Sequence, residues 1–161
     1  MLNTTATVYN IANEEEALQR ILYSNTQKGK ILKSIKGGFV VQSLGVKCFM
    51  PASEYGFFSK NENLEGKEIV FSSLYYKDKP IISRNKGLFN RLRESLKVGD
   101  IVTLTYKHTN QKGTHIFEFK NGFQVFYKQL PESYKLEKEK NYKFKIKNFN
   151  IKTNKIYLDT I

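Results

Sequence analysis

A chain of 161 residues has room for one ordinary domain or two small barrels, and 40% hydrophobic with 14% aromatic residues is enough for a packed core, which excludes disorder by composition. No apolar run approaches the ~18 residues of a membrane-spanning helix, and Met1 to Asn13 lack the basic start and apolar stretch of a secretion signal. Cys48 is the only cysteine, so a disulfide framework and a thiolate metal cluster are excluded, and a reducing, cytoplasmic setting is expected.

Charge is the most informative bulk property. Lys and Arg number 27 against 15 Asp and Glu, a net +12. Residues 1–23 carry a net −2, residues 24–86 a net +6 and residues 87–161 a net +8. A basic surface stabilises a bound polyanion through neutralised phosphates and released counterions. The plainer reading is a solubility charge in a Lys- and Asn-rich proteome.

In chain order, Asn13 followed by Glu14-Glu15-Glu16 is a helix start, with Ala17, Leu18, Ile21 and Leu22 forming its apolar face. From Gly29 to Arg84 the pattern changes to period two. Strands are predicted over Ile31–Ile35, Phe39–Ser43, Val46–Met50, Lys67–Tyr76 and Pro80–Arg84, with turns at Leu44-Gly45 and Lys77-Asp78. Residues 87–97 place Leu88, Phe89, Leu92 and Leu96 on one helical face. Further strands follow over 101–106, 114–120, 123–128, 141–148 and 155–159, and Asn121-Gly122 is a two-residue hairpin signal. Lys143, Lys145 and Lys147 alternate with Tyr142, Phe144 and Ile146, which reads as the wet face of a strand.

The ordered motifs Gly29-Lys30-Ile31, Lys36-Gly37-Gly38-Phe39-Val40-Val41, Gly45 to Ser53, Leu64 to Ile69 and Ser83-Arg84 resemble the S-one RNA-binding domain. Within that family the pattern is similar to an early repeat of the bacterial small-subunit ribosomal protein S-one. The resemblance covers about residues 28–86 and implies a five-stranded OB-type Greek-key barrel. Residues 98–161 are similar only in strand count, tandem position and the opening Val98-Gly99-Asp100, as a degenerate copy. The expected fold is therefore all-β. Residues 1–25 form a leader with a helix, 26–86 the first barrel, 87–97 a linker helix and 98–161 a second barrel.

An OB-type barrel holds a single strand with a basic groove and with aromatic rings on which bases stack. The resemblance places Phe39 and Phe49 on the binding face of the first barrel, with Lys36, Lys47, Lys79 and Arg84 in reach of phosphates. Position alone offers Lys112, His115, Phe117, Tyr127 and Lys128 in the second. Each Phe is equally a candidate for core, and Cys48 is expected to be a packed small side chain. Lys36 and Pro51 depart from the aromatic and the His that strongly RNA-binding members often carry, a form similar to repeats that attach the ribosomal protein to its particle.

The sequence has no phosphate loop, no metal-ligand spacing and no nucleophile with a matching base. The expectation is a non-enzymatic, cofactor-free binder of single-stranded RNA, with weak sequence preference, in translation or RNA metabolism. Two alternatives stay open: docking onto a ribosome, polymerase or phage virion, and binding of single-stranded DNA. If Phe39, Phe49, Phe117 and Tyr127 were all buried, docking would gain.

Overall fold

The computed structural model describes residues 14–59, 61–131 and 134–161. Asn13, expected to cap the first helix, lies outside them. The chain divides into two compact units, Met1–Asn90 and Arg91–Ile161.

In the first unit, helix α1 (residues 14–23) buries Ala17 and Ile21, and Ile21 joins the barrel core. Five strands follow: β1 (Gln27–Ile35), β2 (Gly38–Ser43), β3 (Val46–Pro51), β4 (Glu68–Tyr76) and β5 (Pro80–Ser83). They close into a barrel in the order β1-β2-β3-β5-β4, with β4 pairing back onto β1. This is the expected OB-like circuit. Alternation sends Ile31, Phe39, Val41, Cys48, Met50, Ile69, Phe71 and Ile82 inward. Each fully buried large side chain contributes roughly 1.5–3 kcal/mol of burial free energy.

Both predicted glycines of the first signature have a physical reason. Gly37 has φ +83°, the left-handed turn conformation that glycine adopts without strain. Gly38 is needed for space: a Cβ there would lie 2.1 Å from the Met50 carbonyl oxygen and 2.9 Å from the Phe49 ring. The Leu44-Gly45 turn has positive φ at both residues, as a tight two-residue hairpin requires. Between β3 and β4 lie a short 3-10 turn, Ala52–Glu54, and two aromatics, Tyr55 and Phe58, that pack on Phe39 of β2, with Phe58 edge to face against both other rings.

Helix α2 (Arg84–Ser95) begins three residues before the predicted position. Ser83 ends β5 and caps the helix at once, its Oγ accepting from the Lys86 N–H at 3.0 Å. Gly87 lets this helix lie directly on β4, since a Cβ would come within 2.5 Å of the Phe71 backbone.

The second unit carries β6 (Ile101–Thr109), β7 (His115–Glu118), β8 (Gln124–Tyr127), β9 (Asn141–Asn150) and β10 (Lys155–Thr160). Their order, β10-β9-β6-β7-β8, is the order of the first barrel opened at one place. β8 and β10 correspond to β3 and β5, and no backbone ladder joins them. The interior is Val102, Leu104, Tyr106, Phe117, Val125, Phe144, Ile146, Ile156 and Leu158. The sheets are thus two five-stranded, barrel-like, OB-type units, as expected.

The β7–β8 hairpin corrects one expectation. Asn121-Gly122 is not a two-residue loop, because Gly122 alone takes positive φ and a type I′ turn needs it at both positions. Instead the Gly122 N–H donates to Phe119 O, the Phe119 N–H to Phe123 O, and the Asn121 side chain accepts from the Phe123 N–H. The loop is one residue longer, so Phe117 pairs with Val125 and Ile116 with Phe126.

Among the described residues no helix is long and apolar enough to cross a membrane, and no cluster of three or more His, Cys, Asp or Glu is placed to hold a metal.

Candidate nucleic-acid interface

Pairing registers sort the side chains of the first barrel by face. Lys30 lies opposite Gln42, and Gln42 opposite Lys47, all pointing outward. The next outward row runs Lys33, Val40, Phe49, Ile81 and Tyr75 across four successive neighbour pairs, with Ile81 buried between its two aromatic neighbours. Phe49 is half-buried because its ring lies over the bare Gly38, while Tyr75 is 56% exposed. The result is an apolar, aromatic strip bordered by three lysines. Tyr76, also exposed, shares a groove with Lys47, Lys79 and Pro80, into which Glu14 and Asp78 bring two acidic groups.

The expected site residues separate accordingly. Lys47 and Phe49 lie on this outer surface, Lys79 shares the groove with Lys47, and Lys36 stands exposed in the β1–β2 turn. Phe39 does not join them. It is 4% exposed, locked between Tyr55 and Phe58, so neither ring face is open to a base. Arg84 is also withdrawn. Its guanidinium donates to the Tyr55 carbonyl at 2.8 Å and sits 4.3 Å from the Tyr55 ring centroid. Such a buried, hydrogen-bonded cation over an aromatic face holds the loop to the barrel rather than reaching a phosphate.

In the second unit the same registers apply. A bulge at Lys107 matches the one at Leu32, and a register shift between Tyr157 and Leu158 matches the one between Ser73 and Tyr75. Counting from these marks, His108, Ile116, Phe126 and Tyr157 occupy the places of Lys33, Val40, Phe49 and Ile81. The expected residues His115, Phe117 and Tyr127 share the opposite, inward face. Phe117 is fully buried against Tyr106 and Phe144. His115 Nδ1 is hydrogen-bonded to Thr109 Oγ1 at 2.7 Å, and Thr109 in turn to the Tyr106 hydroxyl. The Tyr127 hydroxyl donates to the Leu158 carbonyl at 3.2 Å, across the place where the ladder stops. Burial, then the charges of Asp159 and Tyr134, push that phenol's pKa up. Lys112 and Lys128 are exposed, as is the stripe of Lys143, Lys145 and Lys147.

Sequence reasoning missed Tyr75, Tyr76, Phe126 and Tyr157. Tyr75-Tyr76 carried a signal, since two consecutive aromatics in a strand point to opposite faces and one must leave the core. Phe126 carried none without the loop length, because one residue in the turn reverses the face.

No family model matches this chain, and no curated protein does. A solved structure described as a multidomain protein with nucleic acid binding domains, from Streptococcus pneumoniae, is similar at 10% identity with a TM-score of 0.33. That likeness covers 84% of this chain, which spans 50% of the other.

Proposed function

We propose that this protein is a non-enzymatic binder of single-stranded RNA with weak sequence preference, acting in translation or RNA metabolism. The observation that carries this reading is the outward row of the first barrel, where Phe49 and Tyr75 lie beside Lys30, Lys33 and Lys47. Stacking on such rings contributes roughly 1–3 kcal/mol per base and accepts any base, while lysines neutralise phosphates without reading sequence. Phe39 and Phe117 are core residues and Tyr127 faces inward, but Phe49 retains partial access. The S-one resemblance favours RNA over DNA, and the fold alone does not distinguish them.

The test is titration of a labelled pyrimidine-rich RNA and its DNA equivalent at two salt concentrations. Tyr75→Ala is expected to weaken RNA binding about fivefold or more at both salts. Lys47→Ala is expected to reduce the slope of log affinity against log salt by about one. Absence of RNA binding at low salt overturns the proposal, and tighter binding of the DNA reassigns the surface.

A further inference from the structure

The gap between β8 and β10 is more than a missing ladder. It forms a groove of about 210 Å³ whose lining includes Phe126, Tyr127, Lys128, Ile156, Tyr157 and Leu158. Small-molecule pockets start at about 300 Å³, so this groove suits one flat ring rather than a whole organic ligand. Phe126 is 57% exposed on one wall and Tyr157 45% exposed on the other. Together the two rings and the groove between them form a contiguous apolar surface open to solvent, the kind of surface a planar ligand can cover.

We propose that this seam is a second base-binding site for single-stranded nucleic acid, independent of the first barrel's outer face. The inference rests on the reading of the protein as a single-strand binder and adds a location that sequence position had put on the wrong side of the strand. A base would stack on Phe126 and Tyr157, with the phosphate beside it facing Lys128. The floor is fixed by the Tyr127 hydroxyl bonded to the Leu158 carbonyl, so the cleft keeps its width without the ring collapsing inward. Charge selects the occupant. Residues 87–161 hold 15 basic side chains against seven acidic ones, and Lys128 lines the groove itself, while Asp159, whose charge reaches Tyr127, has Lys145 as its register partner on β9. A neutral planar base with a charged phosphate beside it fits this combination, whereas an apolar or cationic peptide gains nothing from Lys128 and its basic surroundings.

The experiment compares the full chain with two double variants, Phe126→Ala/Tyr157→Ala and Phe49→Ala/Tyr75→Ala, each checked for native circular dichroism. Each is titrated with a pyrimidine-rich RNA containing 4-thiouridine, followed by photocrosslinking. The expected result is that Phe126→Ala/Tyr157→Ala lowers affinity at least about tenfold and removes a crosslink that the full chain forms at Phe126 or Tyr157. Unchanged affinity with no crosslink at either residue overturns the seam site. If Phe49→Ala/Tyr75→Ala still weakens binding in that case, the first-barrel reading stands alone. If the unsubstituted chain binds no RNA, both readings fall together. An extended peptide that shifts the Tyr157 and Phe126 ring signals where RNA does not also overturns the proposal.

Discussion

The two units run the same strand circuit and differ in how it is completed. In the first, β3 and β5 meet in a parallel pair at Phe49 and Ile81, and backbone hydrogen bonds continue around the ring. In the second, the corresponding strands β8 and β10 are linked by the Tyr127 phenol. One difference accompanies closure: Gly38 has no side chain, and the tip of the Phe49 ring packs where its Cβ would be. The second has Thr114 at the equivalent place, and its outer aromatic, Phe126, stands up into solvent. A glycine at one register position thus accompanies both the closure of the ring and the posture of the ring-bearing side chain on the outside.

The sharpest way to break this correspondence is to exchange inward for outward aromatics in one hairpin. Phe117→Ala is expected to cost about 3–5 kcal/mol, because it empties a fully buried position between Tyr106 and Phe144. Phe126→Ala, nine residues on, is expected to stay within about 0.5 kcal/mol. Urea titration with amide exchange followed in each unit separates the two; equal losses would mean that the assigned register is wrong. Gly38→Ala comes next, at about 3 kcal/mol, since its Cβ meets backbone that has nowhere to go. Thr114→Ala is the matched control and is expected to be mild. If both were mild, space at this position would not explain closure.

Tyr127→Phe tests the seam with a smaller effect. It deletes one hydrogen bond and is expected to cost about 1 kcal/mol, with faster amide exchange along β8 and no change along β3. The smallest effect belongs to the pair Cys48 and Val125, which are equivalent inward positions. Burial raises the Cys48 thiol from its usual 9.0 to about 11. The unfolded chain therefore loses this proton first, so its contribution is complete below about pH 9 and is lost as pH rises toward about 11. Cys48→Val, which copies the second unit, is expected to flatten the fall in melting temperature over that window. A native thiol that reacts quickly with a disulfide reagent at neutral pH would contradict the assignment.

Much of the first barrel was legible because its punctuation is local. Gly37, Gly45 and the Lys77-Asp78 turn announce themselves by residue type, and the apolar alternation between them fixes strand identity. The site was less legible, for two reasons. Phe39 reads alike as platform or core until Tyr55 and Phe58 are seen to enclose it, and both come from a loop with no periodic pattern. In the second unit the Asn121-Gly122 pair suggests a shorter turn than the one formed. Only the hydrogen bonds of Phe119 and Gly122 reveal the added residue, and with it which of Phe126 and Tyr127 faces out. Pattern locates strands well, but the parity of a strand depends on the turn before it.

The phenol bridge at the seam also has a mechanical meaning. A ring joined by backbone throughout can widen only by breaking pairs that belong to its ladder, and every neighbouring pair resists. In the second unit the hydrogen bond described across the seam belongs to a side chain, and breaking it leaves all four ladders of the sheet in register. The unit is built like a split collar, and Tyr127 pins the split.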